Sequence, residues 1–186
     1  MKRTLARALV ILFMATSWSP AQDQFRKQPP EKRGSTAGAW VEPDKSAPAG
    51  MKYCTFPSKA AKGEVSYLIY LPPDYETAKD KRYPVIYWLH GRGGHQRAAG
   101  GAAGQWDAAI KAGRAAPVIL VGVNGLPYSS YVDSYDGKAP VHTMIVSDLI
   151  PHIDATYRTI AKREARMVTT PEPARPAERR PVGHAL

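Results

Sequence analysis

Cysteine and phenylalanine are scarce in this chain, with one Cys and three Phe in 186 residues. A single cysteine excludes an internal disulfide, even in a compartment that would permit one. Tyr53-Cys54-Thr55-Phe56 reads as a strand, and with no partnered base beside it Cys54 is expected to be a buried, inert thiol. No apolar run reaches the ~20 residues that a membrane-spanning helix needs. No spacing of the His-Glu-x-x-His kind joins His90, His95, His142 or His152, so no metal site is expected. Phosphate loops are missing as well: Gly91-Arg92-Gly93 meets Gln96 where a dinucleotide fingerprint has its third glycine, and no Gly-Lys-Ser/Thr follows. No cofactor is expected. The 26 Lys and Arg outnumber 16 Asp and Glu, yet they form no aromatic-interleaved stripe. A solvated surface is expected from them, with no nucleic-acid partner.

At the N-terminus, Lys2, Arg3 and Arg7 lead into the apolar residues 8–15, and Ser19-Pro20-Ala21 has the small-x-small form of a cleavage site. Residues 1–21 are expected to be a signal peptide, the alternative being an uncleaved anchor. Cleavage would leave 23 basic against 16 acidic residues and a secreted or periplasmic protein with no membrane attachment. Residues 22–50 carry Pro29, Pro30, Pro43 and Pro48 among Gly, Ser, Lys and Glu, a disordered-linker composition. The fold is expected over residues 51–168, followed by a disordered Pro/Arg-rich tail over 169–186.

Residues 51–57 and 64–71 carry β-branched and aromatic side chains bounded by turn formers and read as neighbouring antiparallel strands, with Val65, Tyr67, Ile69 and Leu71 on one face. Residues 84–89 and 118–123 are apolar without alternation, as strands buried on both faces should be. A helix between them makes a parallel βαβ unit. It is expected over 104–112, where Trp106 and Ile110 share a face and Gly113 is a stop. A second helix is marked by Val141, Ile145, Leu149, Ile153 and Tyr157 at every fourth position, widened by Met144 and Ile150 and bent at Pro151. The fold class is therefore α/β.

The run Tyr83-Pro84-Val85-Ile86-Tyr87-Trp88-Leu89-His90-Gly91-Arg92-Gly93-Gly94 breaks from a strand into a glycine-rich turn. A sharp turn at a strand end leaves N–H groups bare, and bare N–H groups can stabilise an oxyanion. The bland alternative is that the glycines only make a tight strand exit. Asn124-Gly125-Leu126-Pro127-Tyr128-Ser129-Ser130-Tyr131 follows the second buried strand at its carboxyl end, where open α/β sheets place ligands. Tyr128, Ser129, Ser130 and Tyr131 are candidates for binding a sugar or an aromatic acid, with loop packing as the other reading.

Together with Tyr67-Leu68-Ile69-Tyr70-Leu71-Pro72-Pro73-Asp74-Tyr75 and Asp148-Leu149-Ile150-Pro151-His152-Ile153-Asp154-Ala155-Thr156-Tyr157-Arg158-Thr159, that run resembles the esterases of the α/β-hydrolase superfamily. The likeness is to the esterase D, feruloyl esterase and acetyl-xylan esterase group of carbohydrate esterases and covers roughly residues 52–166. It implies an α/β-hydrolase-like three-layer sandwich, here only its N-terminal strands and first two helices. It further implies that this loop supplies one oxyanion-hole N–H, with Gly91 and Arg92 the candidate donors, that the other comes from the residue after the nucleophile, and that His90 orients the loop through hydrogen bonds. The implied substrates are small-molecule or polysaccharide esters, acetyl and feruloyl among them.

The superfamily's nucleophile stands in Gly-x-Ser-x-Gly, and the resemblance places it shortly after Val168. Here Thr169-Thr170-Pro171-Glu172-Pro173 follows, and Ser129, Ser130, Ser134 and Ser147 stand in no such motif. The expectation is a chain truncated before its nucleophile and inactive as it stands, through a shortened gene, a frameshift or a misassembled frame. The alternative function is a non-catalytic secreted carbohydrate- or partner-binding protein. Either way, an open sheet edge is expected to favour self-association.

Overall fold

The computed structural model describes residues 38–171. The expected signal peptide, the linker through residue 37 and the tail from residue 172 lie outside the described residues.

Five strands form one mixed sheet. β1 (Met51–Ser58) and β2 (Gly63–Tyr70) are an antiparallel hairpin, with Met51 opposite Tyr70 and Ser58 opposite Gly63. β3 (Val85–Trp88) and β4 (Ile119–Val123) are parallel, pairing Val85 with Ile119 and Trp88 with Gly122. β5 (Arg166–Thr169) lies parallel on the other side of β3. The order across the sheet is β1-β2-β4-β3-β5, with β2 antiparallel to β4. β3 and β4 are buried along their whole length, which is why their sequences run apolar without alternation.

Both faces of the sheet are covered. α1 (Ala99–Lys111) connects β3 to β4 and packs Ala99, Ala103, Trp106 and Ile110 against Leu68, Tyr70, Ile86, Trp88 and Leu120. On the opposite face, Val65, Tyr67 and Ile69 join Val85, Tyr87, Ile119, Val121 and Val123 beneath Met144, Leu149 and Ile153. Each such side chain taken wholly out of water contributes about 1.5–3 kcal/mol.

α1 begins earlier than the 104–112 span that its Trp106/Ile110 face suggests. Its first turns hold Gly100, Gly101 and Gly104, poor helix formers, but small residues are what this end requires. A Cβ on Gly122 of β4 would stand 2.7 Å from Ala99 Cβ, and one on Gly100 would stand 2.6 Å from Pro48 Cβ. Close approach to sheet and loop decides the helix start.

The second helical segment, α2, runs through Val141–Thr143, Met144–Leu149 and Ile150–Thr156. Its middle stretch is π-helical, with the Ile150 N–H returning to the Ile145 carbonyl. Pro151 has no N–H to offer the Ser147 carbonyl, and the wider turn just before it accommodates that interruption. Ser58 Oγ and Ala60 N donate to Asp148 Oδ2 at 2.6 and 2.9 Å, so α2 also fastens the β1–β2 hairpin.

Residues 38–50, inside the expected linker, contain no helix or strand but are tied to the sheet. Ser66 N–H donates to the Trp40 carbonyl at 2.7 Å, and Asn124 Nδ2 donates to the Ala39 and Trp40 carbonyls at 3.0 and 2.9 Å. Trp40 itself packs against the core, supplying the apolar surface that the linker composition otherwise lacks. Cys54 is half-buried, its Sγ 3.7 Å from the Tyr157 hydroxyl.

Candidate functional site

β3, β4 and β5 run in one direction, so their carboxyl ends open on the same rim. Residues 89–94 leave β3 there, residues 124–131 leave β4, and Thr170-Pro171 leaves β5. Between them lies a cavity of about 260 Å³ lined by His90, Gly91, Arg92, Tyr128, Ser130 and Tyr131, among others.

The first loop is a tight turn. Gly94 N–H donates to the Gly91 carbonyl at 2.9 Å, and Gly93 takes the left-handed φ of +74° that such a turn needs. A Cβ on Gly94 would sit 2.9 Å from the Gly91 oxygen, so glycine is required there too. Gly93 N–H is spent on the Pro127 carbonyl at 2.7 Å, which ties the two loops together. Among the described residues, neither the Gly91 N–H nor the Arg92 N–H has an acceptor, and both residues are exposed at the cavity.

His90 is buried. Its Nδ1 lies 2.9 Å from the Gly91 carbonyl, which can only accept, so Nδ1 carries the proton and Nε2 is left buried with no partner among the described residues. Burial pushes the His90 pKa below the usual histidine value, keeping the ring neutral. Its ring leans on Tyr131 with centroids 5.4 Å apart.

The second loop is strained. Leu126, Ser130 and Tyr131 have φ of +59°, +54° and +58°, a left-handed conformation costing of order 1–3 kcal/mol for each non-glycine residue. Such strain persists only where surroundings over-determine it. Ser129 is buried: its hydroxyl donates to the Gly125 carbonyl and accepts the Tyr131 N–H at 3.0 Å. Ser129 therefore holds the turn and does not line the cavity, unlike Tyr128, Ser130 and Tyr131. Tyr128 is about half exposed, with the Arg92 guanidinium 5.9 Å from its ring centroid. The Tyr131 hydroxyl donates to the His90 carbonyl at 3.2 Å.

Beneath both loops lies a polar cluster that the sequence does not announce. Buried Ser66 donates to Gln96 Oε1 at 3.3 Å and accepts from Asn124 Nδ2 at 3.3 Å and Glu42 N at 3.0 Å. Asn124 Oδ1 in turn accepts the Leu126 N–H at 3.2 Å. Their only sequence signal is polarity at strand and loop positions whose neighbours are apolar. Thr170 and Pro171, which read as the start of a tail, also line the cavity.

This strand order, with helices on both faces and a cavity at the parallel strands' carboxyl rim, is that of the N-terminal part of an α/β-hydrolase. Residues 58–169 match the family model described as "Putative esterase", and the chain belongs to that family. Two curated Mycobacterium tuberculosis proteins, Esterase Rv1288 and Esterase MT1326, are each 32% identical over 120 residues, covering 62% of this chain and 25% of theirs. The chain thus spans about a quarter of the length of these relatives. A solved ferulic acid esterase superposes with a TM-score of 0.57 at 26% identity over 64% of this chain and 48% of its own. An Anaeromyces mucronatus ferulic acid esterase in complex with ferulic acid gives 0.54 at 21% identity over 77% and 53%, a likeness of fold alone.

Proposed function

We propose that this chain supplies the oxyanion-binding part of a secreted carboxylic ester hydrolase that acts on acetyl or feruloyl esters of polysaccharide. One observation carries the reading: two successive amides, Gly91 N–H and Arg92 N–H, stand without acceptors among the described residues, at a cavity on the carboxyl rim. In this superfamily the strand-exit loop supplies one donor to a tetrahedral intermediate's oxygen and the residue after the nucleophile supplies the other, and these two amides are the loop's candidates. In a serine hydrolase the hydroxyl attacks the ester carbonyl, the alcohol leaves with a proton, and water then releases the acid from the acyl-enzyme. Tyr128 and Ser130 would meet the acyl group or sugar.

The 186 residues contain no Gly-x-Ser-x-Gly, and Ser129 is committed to its own turn. By themselves they are therefore proposed to turn over no ester, since oxyanion donors alone leave only a residual rate. Export by the N-terminal signal, no nucleic-acid partner, and self-association through the outer edge of β5 complete the reading. At that edge Met167 and Val168 are exposed. No helix among the described residues is long and apolar enough to cross a membrane.

The test is para-nitrophenyl acetate turnover together with fluorophosphonate labelling. Silence on both is expected of this chain, with both signals appearing in a longer form that contains Gly-x-Ser-x-Gly. Labelling of the 186-residue chain would overturn the inactive half of the proposal, and silence of the longer form would overturn the hydrolase and favour a non-catalytic binding protein.

A further inference from the structure

We infer that Tyr131 is a positioning residue for the candidate oxyanion donors: it aims the peptide plane that carries the Gly91 N–H, beside His90, whose loop-orienting role the resemblance already implies and which holds the plane that carries the Arg92 N–H. The inference rests on the ester-hydrolase reading above and deepens it.

In a planar trans peptide unit the C=O and the N–H point in opposite directions, so a group that holds the carbonyl fixes the amide. The Gly91 N–H shares its plane with the His90 carbonyl, which accepts from the Tyr131 hydroxyl at 3.2 Å. The Arg92 N–H shares its plane with the Gly91 carbonyl, which accepts from His90 Nδ1 and from Gly94 N, both at 2.9 Å. Each plane is thus pinned on its carbonyl side and bare on its amide side. A hydrogen bond accepted by the carbonyl also polarises the unit and strengthens its N–H as a donor.

The placement of Tyr131 is over-determined in a way that packing alone would not require. Its left-handed backbone is held by Ser129, and its ring lies so close to residue 125 that only glycine leaves room. Phenylalanine would fill the same space, and what tyrosine adds is the hydroxyl on the His90 carbonyl. Because burial raises the Tyr131 pKa, that hydroxyl keeps its proton and remains a donor. His90, held neutral, offers its single N–H to the Gly91 carbonyl.

The experiment is an acetate titration of the 15N-labelled 186-residue chain, following the Gly91 and Arg92 amide resonances. In the wild type both amide protons move downfield. In Tyr131→Phe the affinity for acetate falls about five-fold, the scale of one hydrogen bond, and the lost response is at Gly91. In His90→Gln the lost response is at Arg92. His90→Asn, whose side-chain N–H lies near the place of Nδ1, recovers it, which a merely structural role for the ring would not give. The same spectra report whether each variant is folded, and Tyr131→Phe keeps the ring in place should His90→Gln unfold. If both wild-type amides respond and Tyr131→Phe and His90→Gln titrate as the wild type does, the positioning role is overturned while the hydrolase reading stands. If neither amide responds in the wild type, both fall.

Discussion

Gly125→Ala is the most exacting perturbation of the candidate site, because one methyl group is aimed at one ring. The added Cβ would stand 2.1 Å from Tyr131 Cε1, 2.7 Å from Cζ and 2.8 Å from Cδ1. Carbon atoms rest no closer than about 3.5 Å, so the ring must retreat by roughly 1.4 Å, and its hydroxyl then leaves the His90 carbonyl. Overpacking costs about 1–3 kcal/mol and the lost hydrogen bond about 1 kcal/mol. Alanine's narrower unfolded ensemble gives back about 0.4–1 kcal/mol, since residue 125 is not in the left-handed region. The net expectation is a loss of about 2 kcal/mol, or a Tm lower by about 5–10 °C for a fold of this size. Urea unfolding followed by circular dichroism measures it, and the decisive comparison is a double-mutant cycle. In a Tyr131→Ala background the methyl meets empty space, so Gly125→Ala should be neutral or slightly stabilising. Equal costs in both backgrounds, within about 0.5 kcal/mol, would refute the reasoning.

Three further expectations follow from other parts of the fold. On α1, a Cβ at Gly101 or Gly104 meets nothing within 4 Å, so each change to alanine should stabilise by about 0.5–1 kcal/mol, whereas Gly100→Ala, which strikes Pro48, should destabilise; thermal unfolding gives the signs. Ser66→Ala should cost about 1–3 kcal/mol, because the Glu42 N–H loses its acceptor in a buried cluster, and hydrogen exchange at Leu126 should quicken as Asn124 loosens. Burial lowers the pKa of both His90 and His152, so the unfolded chain, with histidine near 6.5, takes up protons first as pH falls. Stability is then fully present above about pH 6.5 and declines below it; urea titrations should show a shallower decline in His152→Gln, and an unchanged slope would count against the burial argument.

Local periodicity was enough to locate the hairpin, the buried strands and the α2 stripe, because burial on one face or both leaves its mark on neighbouring residues. Val65, Tyr67 and Ile69 do share a face, and Val141, Leu149 and Ile153 do turn inward. The strand exit at His90-Gly91-Arg92 was legible for the same reason: a tight turn demands glycine whatever lies around it. The helix start at Ala99 was not, since glycine's low propensity argues against a helix and only the approach to Gly122 and Pro48 explains it.

The candidate site divides along the same line. The resemblance pointed to Gly91 and Arg92, and residue type to Tyr128, but nothing in the residues 124–131 separates Ser129, which closes a turn, from Ser130, which faces the cavity. Tyr131 reaches the His90 carbonyl from 41 residues away, and Ser66 meets Asn124 from 58. Contacts of that separation exist only once β2, β3 and β4 lie side by side. The chain's own pattern determined which segments become strands and where their amides are bared; the packing of the sheet decided which side chains hold those amides in place, because a hydrogen bond depends on distances that no local run of residues encodes.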